Sequence, residues 1–547
     1  MYPFLTNCAK NYLQYLTQTD KGHEIIKIEN ITMDIFGLQL KLDSKLKSLE
    51  ALVLRTSCGE YLLDNETSEI NIAAYDERAK ILYLNVESNL RHLLFENRNS
   101  IALLSDLRFL VQNVINFYTG EPHLALPTKT PSFLPDITSL RQLKTQPSTE
   151  QLDALYGIFS KPFCYIWGPA GSGKTKVVLL HSLAFYLKKG LKVAILAPTN
   201  NALEQCLKTL LTSLNAIQIN TDGILRLGTP TQSFLESFPK NCEQTFGETQ
   251  NHFQKINLQK AQIVAMTLDA FLHRADLQTI DFKHFFVDEA GFAPLIKVLP
   301  LCAFNKPITL LGDHKQLQPI NVLNSKDQQW SLSKFWSFSA LFLESFFALK
   351  DTLNAKNPND TPQISHCFML TQTYRYGDNL AKLLDSYIYK NHLQGRGKYT
   401  HLYCLNLANF KKIDSKMERT NPLEASFCCN LAKDFIAKNL DFAILTPFVN
   451  QRRLILETMP SLRHKECVLT IHTAQGQEFD YVIFSPVILH YHLNDSTNQS
   501  ALFALNVAIS RAKKGIIIVC DKSYWLKFKG QFLSDLIAIA TPYIEIT

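Results

Sequence analysis

Residues 163–175 read Phe-Cys-Tyr-Ile-Trp-Gly-Pro-Ala-Gly-Ser-Gly-Lys-Thr, and the next twelve, Lys-Val-Val-Leu-Leu-His-Ser-Leu-Ala-Phe-Tyr-Leu, carry apolar residues at helical spacing. An apolar strand that ends in a glycine-rich turn and opens a helix is the setting in which Gly-x-x-x-x-Gly-Lys-Thr cradles phosphate. Gly168, Gly171 and Gly173 let the chain turn tightly, so that backbone amides face phosphate oxygens. The helix that follows brings the positive end of its dipole to the same point. Lys174 is expected to reach the β and γ phosphates, and Thr175 to offer its hydroxyl to Mg²⁺. ATP with Mg²⁺ is therefore the expected ligand.

Outward from this stretch, apolar runs recur with helix-length segments between them: KVAILAP (192–198), AQIVAMT (261–267), HFFVDEA (284–290) and PITLLGD (307–313). Runs without alternation are the mark of strands covered on both faces, as in a parallel α/β sheet. A second series follows, with FAILTPF (442–448), VLTIHTAQG (468–476), DYVIFSP (480–486) and KGIIIVC (514–520), and predicts a second α/β domain in tandem. Hydrolysis needs a metal-holding carboxylate and a group that orients water. Asp288 and Glu289, at the end of HFFVDEA, are assigned those roles. Gln316 in LLGDHKQLQP, one strand later, is assigned to sensing the γ-phosphate.

Toward the N-terminus, short alternating runs between Glu24 and Leu94 predict a small β-rich, barrel-like domain, and residues 101–118 a stalk-like helix. Four prolines in TGEPHLALPTKTPSFLPD (119–136) point to a linker. The expected division is 1–120 for the β-rich domain and helix, 121–145 for the linker, 146–345 for the first α/β domain with an insertion at about 207–260, and 346–547 for the second. The net charge of +7 suits a phosphate-bearing partner. Twelve cysteines without a Cys-x-x-Cys pair read as free thiols and not as a disulfide or zinc framework. No run approaches the ~20 apolar residues of a membrane span, and the N-terminus lacks a signal-peptide pattern. These features predict an intracellular, cytoplasmic protein without a membrane partner, with the nucleus open in a eukaryotic cell.

From about Thr149 to about Lys522 the chain resembles superfamily 1 helicases, and most closely branch 1B, which includes the nonsense-mediated-decay RNA helicase and the immunoglobulin mu-binding helicase. The resemblance implies two tandem RecA-like P-loop domains, a small inserted subdomain after Asn200, and an ATP site between the domains. Gln151 in STEQLDAL resembles the glutamine that reads adenine. Tyr374 and Arg375 in LTQTYRYG resemble an adenine-stacking aromatic and an arginine that reaches the γ-phosphate. Arg511 in LNVAISRAKKG resembles the second arginine finger, and the second domain is expected to carry both arginines. In TIHTAQGQEFDYVI, Gly476 is similar to a phosphate contact and Glu478 to a ribose contact. Nucleic-acid contacts are implied for Thr199 and Asn200, Thr267, Thr446 and Pro447, and Thr473 and Gln475.

The function expected from this resemblance is an ATP-dependent helicase or translocase, 5′-to-3′ on single-stranded DNA or RNA. It is expected to act as a monomer, with the N-terminal domain open to a protein partner. The alternatives are a nucleic-acid-stimulated ATPase that remodels protein–nucleic-acid complexes without unwinding, and a regulatory nucleotide-binding module. The complete set of Lys174, Asp288, Glu289, Arg375 and Arg511 argues against the last. A small-molecule kinase would share the phosphate loop but needs no second α/β domain with arginines.

Overall fold

The computed structural model describes residues 2–137, 146–243, 258–338, 365–408 and 419–543, apart from 35, 36, 45, 47, 48, 50, 58, 64–69, 77, 78, 229, 320–322, 324–327, 391, 464, 466 and 497. Of the basic-biased stretch KKIDSKMER (411–419), residues 411–418 lie outside the described residues, as do residues 339–347 of the aromatic-rich stretch SLSKFWSFSALFLESFF (331–347).

The N-terminal region holds β1 (His23–Ile26), β2 (Ile28–Met33), β3 (Gly37–Leu42), β4 (Leu52–Thr56), β5 (Gly59–Leu62), β6 (Ile70–Asp76), β7 (Ile81–Val86) and β8 (Ala102–Asp106). They make two four-stranded antiparallel sheets, ordered β1-β8-β4-β5 and β2-β3-β7-β6. Alternate residues such as Leu38, Leu40, Leu42, Leu82 and Leu84 fill one shared core, the period-2 burial expected of half-covered strands. Helix α1 (Tyr2–Gln18) precedes the sheets, α2 (Ser88–Glu96) follows β7, and α3 (Leu107–Thr119) follows β8. The sequence expectation of one helix over 101–118 is corrected here. Residues 102–106 pair with β1 and β4, and the helix starts only where the Asp106 carboxylate accepts the Arg108 amide hydrogen. Over five residues, IALLS satisfies a strand period as well as a helical one.

Helices α1 and α3 form a stalk packed on the first α/β domain. Tyr12 stacks on Trp336 at 4.9 Å and Tyr15 meets Trp330 edge-on at 5.3 Å. The Tyr118 hydroxyl donates to the Ile296 carbonyl at 2.7 Å. Residues 121–136 of the expected linker carry no helix or strand, yet they are strapped down. The Thr128 amide donates to Asn305 Oδ1, and Phe133 lies 5.2 Å from both Phe159 and Tyr186.

The first α/β domain is built on β9 (Phe163–Trp167), β10 (Val193–Ala197), β11 (Ile224–Arg226), β12 (Ile263–Thr267), β13 (Phe285–Val287), β14 (Ile308–Gly312) and β15 (Ser365–Met369), in the order β11-β12-β10-β13-β14-β9-β15, all parallel. Apart from β15, each of these strands is buried along its whole length. Two expectations shift. Strand β15 belongs to the first sheet, so that domain extends beyond residue 345 and the crossing comes after Met369. The insertion does not stand apart in its described part, because β11 is the sheet's edge strand and Phe234 and Cys242 join the domain core.

A short parallel pair, β16 (Gln372–Thr373) with β17 (Gln394–Gly395), sits at the crossing. The second domain has β18 (His401–Asn406), β19 (Phe442–Thr446), β20 (Val468–Thr470), β21 (Phe479–Phe484), β22 (Ala512–Cys520) and β23 (Thr541–Pro542), ordered β20-β19-β21-β22-β18-β23 and parallel throughout. One apolar cluster runs from Trp167 and Val287 through Tyr376, Leu380 and Tyr389 to Ile471, Leu505 and Ile516, and so joins the two sheets. No helix among the described residues is long and apolar enough to cross a membrane.

Under the strand ends of the second sheet lies a buried carboxyl, Glu424. It accepts from Ser485 Oγ at 2.6 Å, the Val487 amide at 3.0 Å and Asn421 Nδ2 at 3.0 Å. Burial nevertheless pushes its pKa from 4.5 up to about 8. Between those values an unfolded chain ionises while the folded chain keeps the proton, so native stability falls as pH rises through the window and levels off above it. Glu424→Gln is expected to flatten this slope. Melting temperatures at both ends of the window measure it, and an unchanged difference would refute the assignment.

Candidate functional site

The carboxyl ends of parallel strands are where α/β sheets bind ligands, and the nucleotide residues gather there in the first domain. Gly168 follows β9, Asp288 follows β13, and Asp313 follows β14. The phosphate loop closes on two left-handed glycines, Gly171 at φ +80° and Gly173 at φ +89°. Both are also pressed from outside. A Cβ on Gly171 would stand 2.5 Å from the Arg375 Cβ, and one on Gly173 2.5 Å from Gln151 Nε2. A wide first turn over Lys174–Leu179 then leads into α5 (Leu180–Lys189).

The Lys174 ammonium donates to the Gly168 and Pro169 carbonyls within its own loop. Burial lowers its pKa, while Asp313, Glu289 and Asp288 oppose the shift. Thr175 Oγ1 donates to Asp288 Oδ2 at 3.1 Å. Asp288 is buried, and its other oxygen accepts the Glu289 amide hydrogen. Glu289 sits at φ +52°, an unusual conformation for a residue with a side chain. Burial and the neighbouring Asp288 raise its pKa, with Lys174 and Arg511 pulling the other way. A hydroxyl and a carboxylate oxygen in contact beside a second carboxyl fit a hard divalent cation that keeps most of its own waters. Thr175 and Asp288 would hold it.

Gln151 is buried and uses both ends of its amide. Its Oε1 accepts the Ser148 amide hydrogen in a capping box, and its Nε2 donates to the Ser172 carbonyl at 2.9 Å. It thereby fastens helix α4 (Thr149–Ser160) to the phosphate loop. Tyr374 is half exposed, and its amide donates to the Gly171 carbonyl at 2.9 Å.

Arg375 lies at the crossing between the two sheets, just after Thr373 and Tyr374, which donate to the Ala170 and Gly171 carbonyls of the phosphate loop. Its side chain crosses over: Nε donates to Glu478 Oε2 at 3.0 Å and Nη1 to the Ser510 carbonyl at 3.0 Å. Burial alone would raise the Glu478 pKa, but Arg375, Lys513 and Lys176 outweigh it and hold the carboxylate ionised. Arg511 comes from the second domain and is 2% exposed. It donates to the Val507 and Gln477 carbonyls and, across the junction, to Gln316 Oε1 at 3.3 Å. Burial and then Arg375 lower its pKa to about 10. Lys174 and Arg511 are thus buried cations, and a bound polyphosphate would offset the cost of burying their charge.

Three residues with no role assigned from sequence complete the junction. Asp313 is buried and accepts from Trp167 Nε1 (2.9 Å), Gln316 Nε2 (2.9 Å) and the Tyr389 hydroxyl (2.7 Å). Asn506 Nδ2 donates to the same Tyr389 oxygen at 2.8 Å and to the Lys315 carbonyl at 2.8 Å. The loop that carries Gln316 is therefore tied to the second domain by Arg511 and, through Tyr389, by Asn506. Asp313 stands beside Gln316 in an evident motif. Tyr389, 76 positions from Asp313, gives no local signal.

The residues expected to contact the strand lie at neighbouring strand ends. In the first sheet Ala197 of β10 is in register with Thr267 of β12, so Thr199 and Asn200 lie beside Thr267. In the second, Thr446 of β19 is in register with Thr470 of β20, so Pro447 and the segment with Thr473 and Gln475 leave neighbouring strand ends. The residues are not equally available. Thr199 and Thr267 cap helices at Ala202 and Ala270, and Thr267 and Thr446 are buried. Asn200 Oδ1 accepts from the buried Arg226 at 2.9 Å. Thr473 is exposed and bonded to Thr470. Residues 471–478 carry the chain from the carboxyl end of β20 to the amino end of β21, with Gly476 at φ +80°, and so connect the Thr473 and Gln475 region to Glu478 and Arg511.

Two family models described as AAA domain match residues 146–324 and 349–523, the greater part of the chain. A regulator of nonsense transcripts 1 homolog of Neurospora crassa is 24% identical over 69% of this chain and 38% of its own length. The ATP-dependent helicase upf1 of Schizosaccharomyces pombe is 25% identical over 71% and 46%, and the DNA replication ATP-dependent helicase/nuclease JHS1 of Arabidopsis thaliana 22% over 95% and 40%. The chain spans less than half the length of these relatives. Among solved structures, the crystal structure of arterivirus nonstructural protein 10 (helicase) covers 94% of this chain and 78% of its own, at 12% identity and a TM-score of 0.39. With its motifs in order and gathered about one junction, and with these relatives, the chain belongs to the superfamily 1 helicases, in the branch of regulator of nonsense transcripts 1.

Proposed function

We propose that this chain hydrolyses ATP at the junction of its two parallel sheets and uses the cycle to move 5′-to-3′ along single-stranded DNA or RNA, separating duplex ahead of it. The observation that carries the reading is the convergence of Lys174, Asp288 and Glu289 from the first domain with Arg511 from the second, joined through Gln316. Glu289 would take a proton from the attacking water. Lys174, Arg375 and Arg511 would stabilise the charge that develops on the transferred phosphoryl group. Mg²⁺, held by Thr175 and Asp288, would neutralise phosphate charge when bound. Loss of the γ-phosphate removes the anion between the arginines and the phosphate loop, so the domains part, and residues 471–478 carry that change to the strand face.

Duplexes with a 5′ or a 3′ single-stranded tail, incubated with protein and ATP or with a non-hydrolysable analogue, test the reading. Displacement from the 5′-tailed duplex with ATP alone is expected. Displacement from the 3′-tailed duplex alone would reverse the polarity, and none from either would remove unwinding.

A further inference from the structure

In the second domain, β19 and β21 are adjacent and parallel, with Leu445 opposite Phe484. The segments that leave them, Thr446–Val449 and Ser485–His492, therefore emerge side by side at the edge that carries Thr446, Pro447, Thr473 and Gln475. The Phe448 and His490 rings meet at 5.8 Å. Phe448 is buried, but Val449 is 61% exposed and Tyr491 59%, with Ile488 also exposed. Neighbouring large apolar groups left in solvent are a mark of a binding surface. Two imidazoles crowd the Tyr491 ring, His492 at 3.8 Å and His490 at 4.7 Å between centroids.

The loop is held stiffly. The Leu493 and Asn494 amides donate to the His490 carbonyl at 2.8 and 3.0 Å, and Asn498 Nδ2 donates to the Tyr491 carbonyl at 3.1 Å. Val487 sits at φ +66°, which a β-branched residue rarely adopts. Its amide is anchored by the buried Glu424 at 3.0 Å. Strained backbone of this kind persists where the surroundings impose it, and it gathers at functional sites. The exposed Tyr491 lies four residues further along the same loop. Positive charge is near as well, since the Arg419 guanidinium is close enough to bear on His492.

We propose that Pro486–His492 is a stacking platform for a nucleobase of single-stranded nucleic acid, with Tyr491 as the stacking ring and Val449 and Ile488 as its apolar border. The proposal rests on the strand-translocation reading above and adds a contact with bases to the phosphate contacts implied for the motif residues. A stacked base recognises neither sequence nor sugar, which suits an enzyme that must step along any strand.

Fluorescence anisotropy of the full chain with labelled oligodeoxythymidylate, oligouridylate and an abasic strand of equal length tests it. Stacking of one base is worth about 5- to 150-fold in affinity. Tyr491→Ala, with an unchanged melting temperature, is expected to weaken both base-bearing strands by a factor in that range. It should leave the abasic strand and the salt dependence alone, because phosphate contacts set that slope. Tyr491→Phe should bind like the wild type. Equal binding by Tyr491→Ala and wild type would overturn the platform and leave the motor reading intact. An equal loss on the abasic strand would overturn stacking as the cause. Wild-type protein that binds none of the strands would remove both proposals.

Discussion

Arg511→Ala is expected to lower strand-stimulated kcat on the order of 10³-fold while leaving ATP affinity within a few-fold of wild type. The guanidinium is held by three acceptors, the Val507 and Gln477 carbonyls and Gln316 Oε1, and is almost fully buried. It is therefore fixed before the phosphoryl group transfers, and groups fixed in advance stabilise a transition state without reorganising. Arg511→Lys keeps the charge but cannot satisfy three acceptors from one planar fork, so it should not restore the rate. Binding of a fluorescent ATP analogue separates this from misfolding. A loss below about tenfold, with binding intact, would show that Arg511 is a strut between the domains and not a finger.

Glu289→Gln is expected to lower kcat by about 10²- to 10⁴-fold, the range of a lost general base. The same substitution should leave ATP binding intact or tighten it. Glu289 lies beside Asp288, and burial and that like charge raise its pKa. An amide of equal shape removes the repulsion and keeps the packing, so the melting temperature should hold or rise. A variant that is inactive and also unfolded would contradict the account, because it would make Glu289 a structural carboxylate. This trade of stability for activity is common at catalytic positions.

The unequal availability of the residues expected to contact the strand shows what a motif encodes. Thr199 and Thr267 cap helices, and Thr446 is buried under Phe448, whose amide donates to its hydroxyl. These threonines first shape the turn that ends a strand, and neighbouring groups carry the surface. Gln151 follows the same pattern, as a cap and a brace for the phosphate loop.

The phosphate loop and the acidic pair were legible because their chemistry is local. Strand, turn and helix start lie within some fifteen residues, and apolar runs announce buried strands. What sequence could not supply was non-local. The place of Arg375, at the crossing and close to the phosphate loop, follows from β15, whose partner β9 lies about 200 positions earlier. The Asp313–Tyr389–Asn506 bridge joins three distant segments through single atoms. The strand at 102–106 is hidden because the short apolar run Ile-Ala-Leu-Leu (101–104) satisfies two periods at once. The exposed Tyr491 falls in no motif, and the carboxyl that anchors its loop, Glu424, lies more than sixty residues away.

Steady-state ATP hydrolysis by the full chain, with no nucleic acid, with single-stranded DNA and with single-stranded RNA, beside Glu289→Gln, tests the central claim most directly. The account predicts strong stimulation by at least one polymer and its loss in the variant. Equal rates in all three conditions, from folded protein that binds ATP, would contradict it.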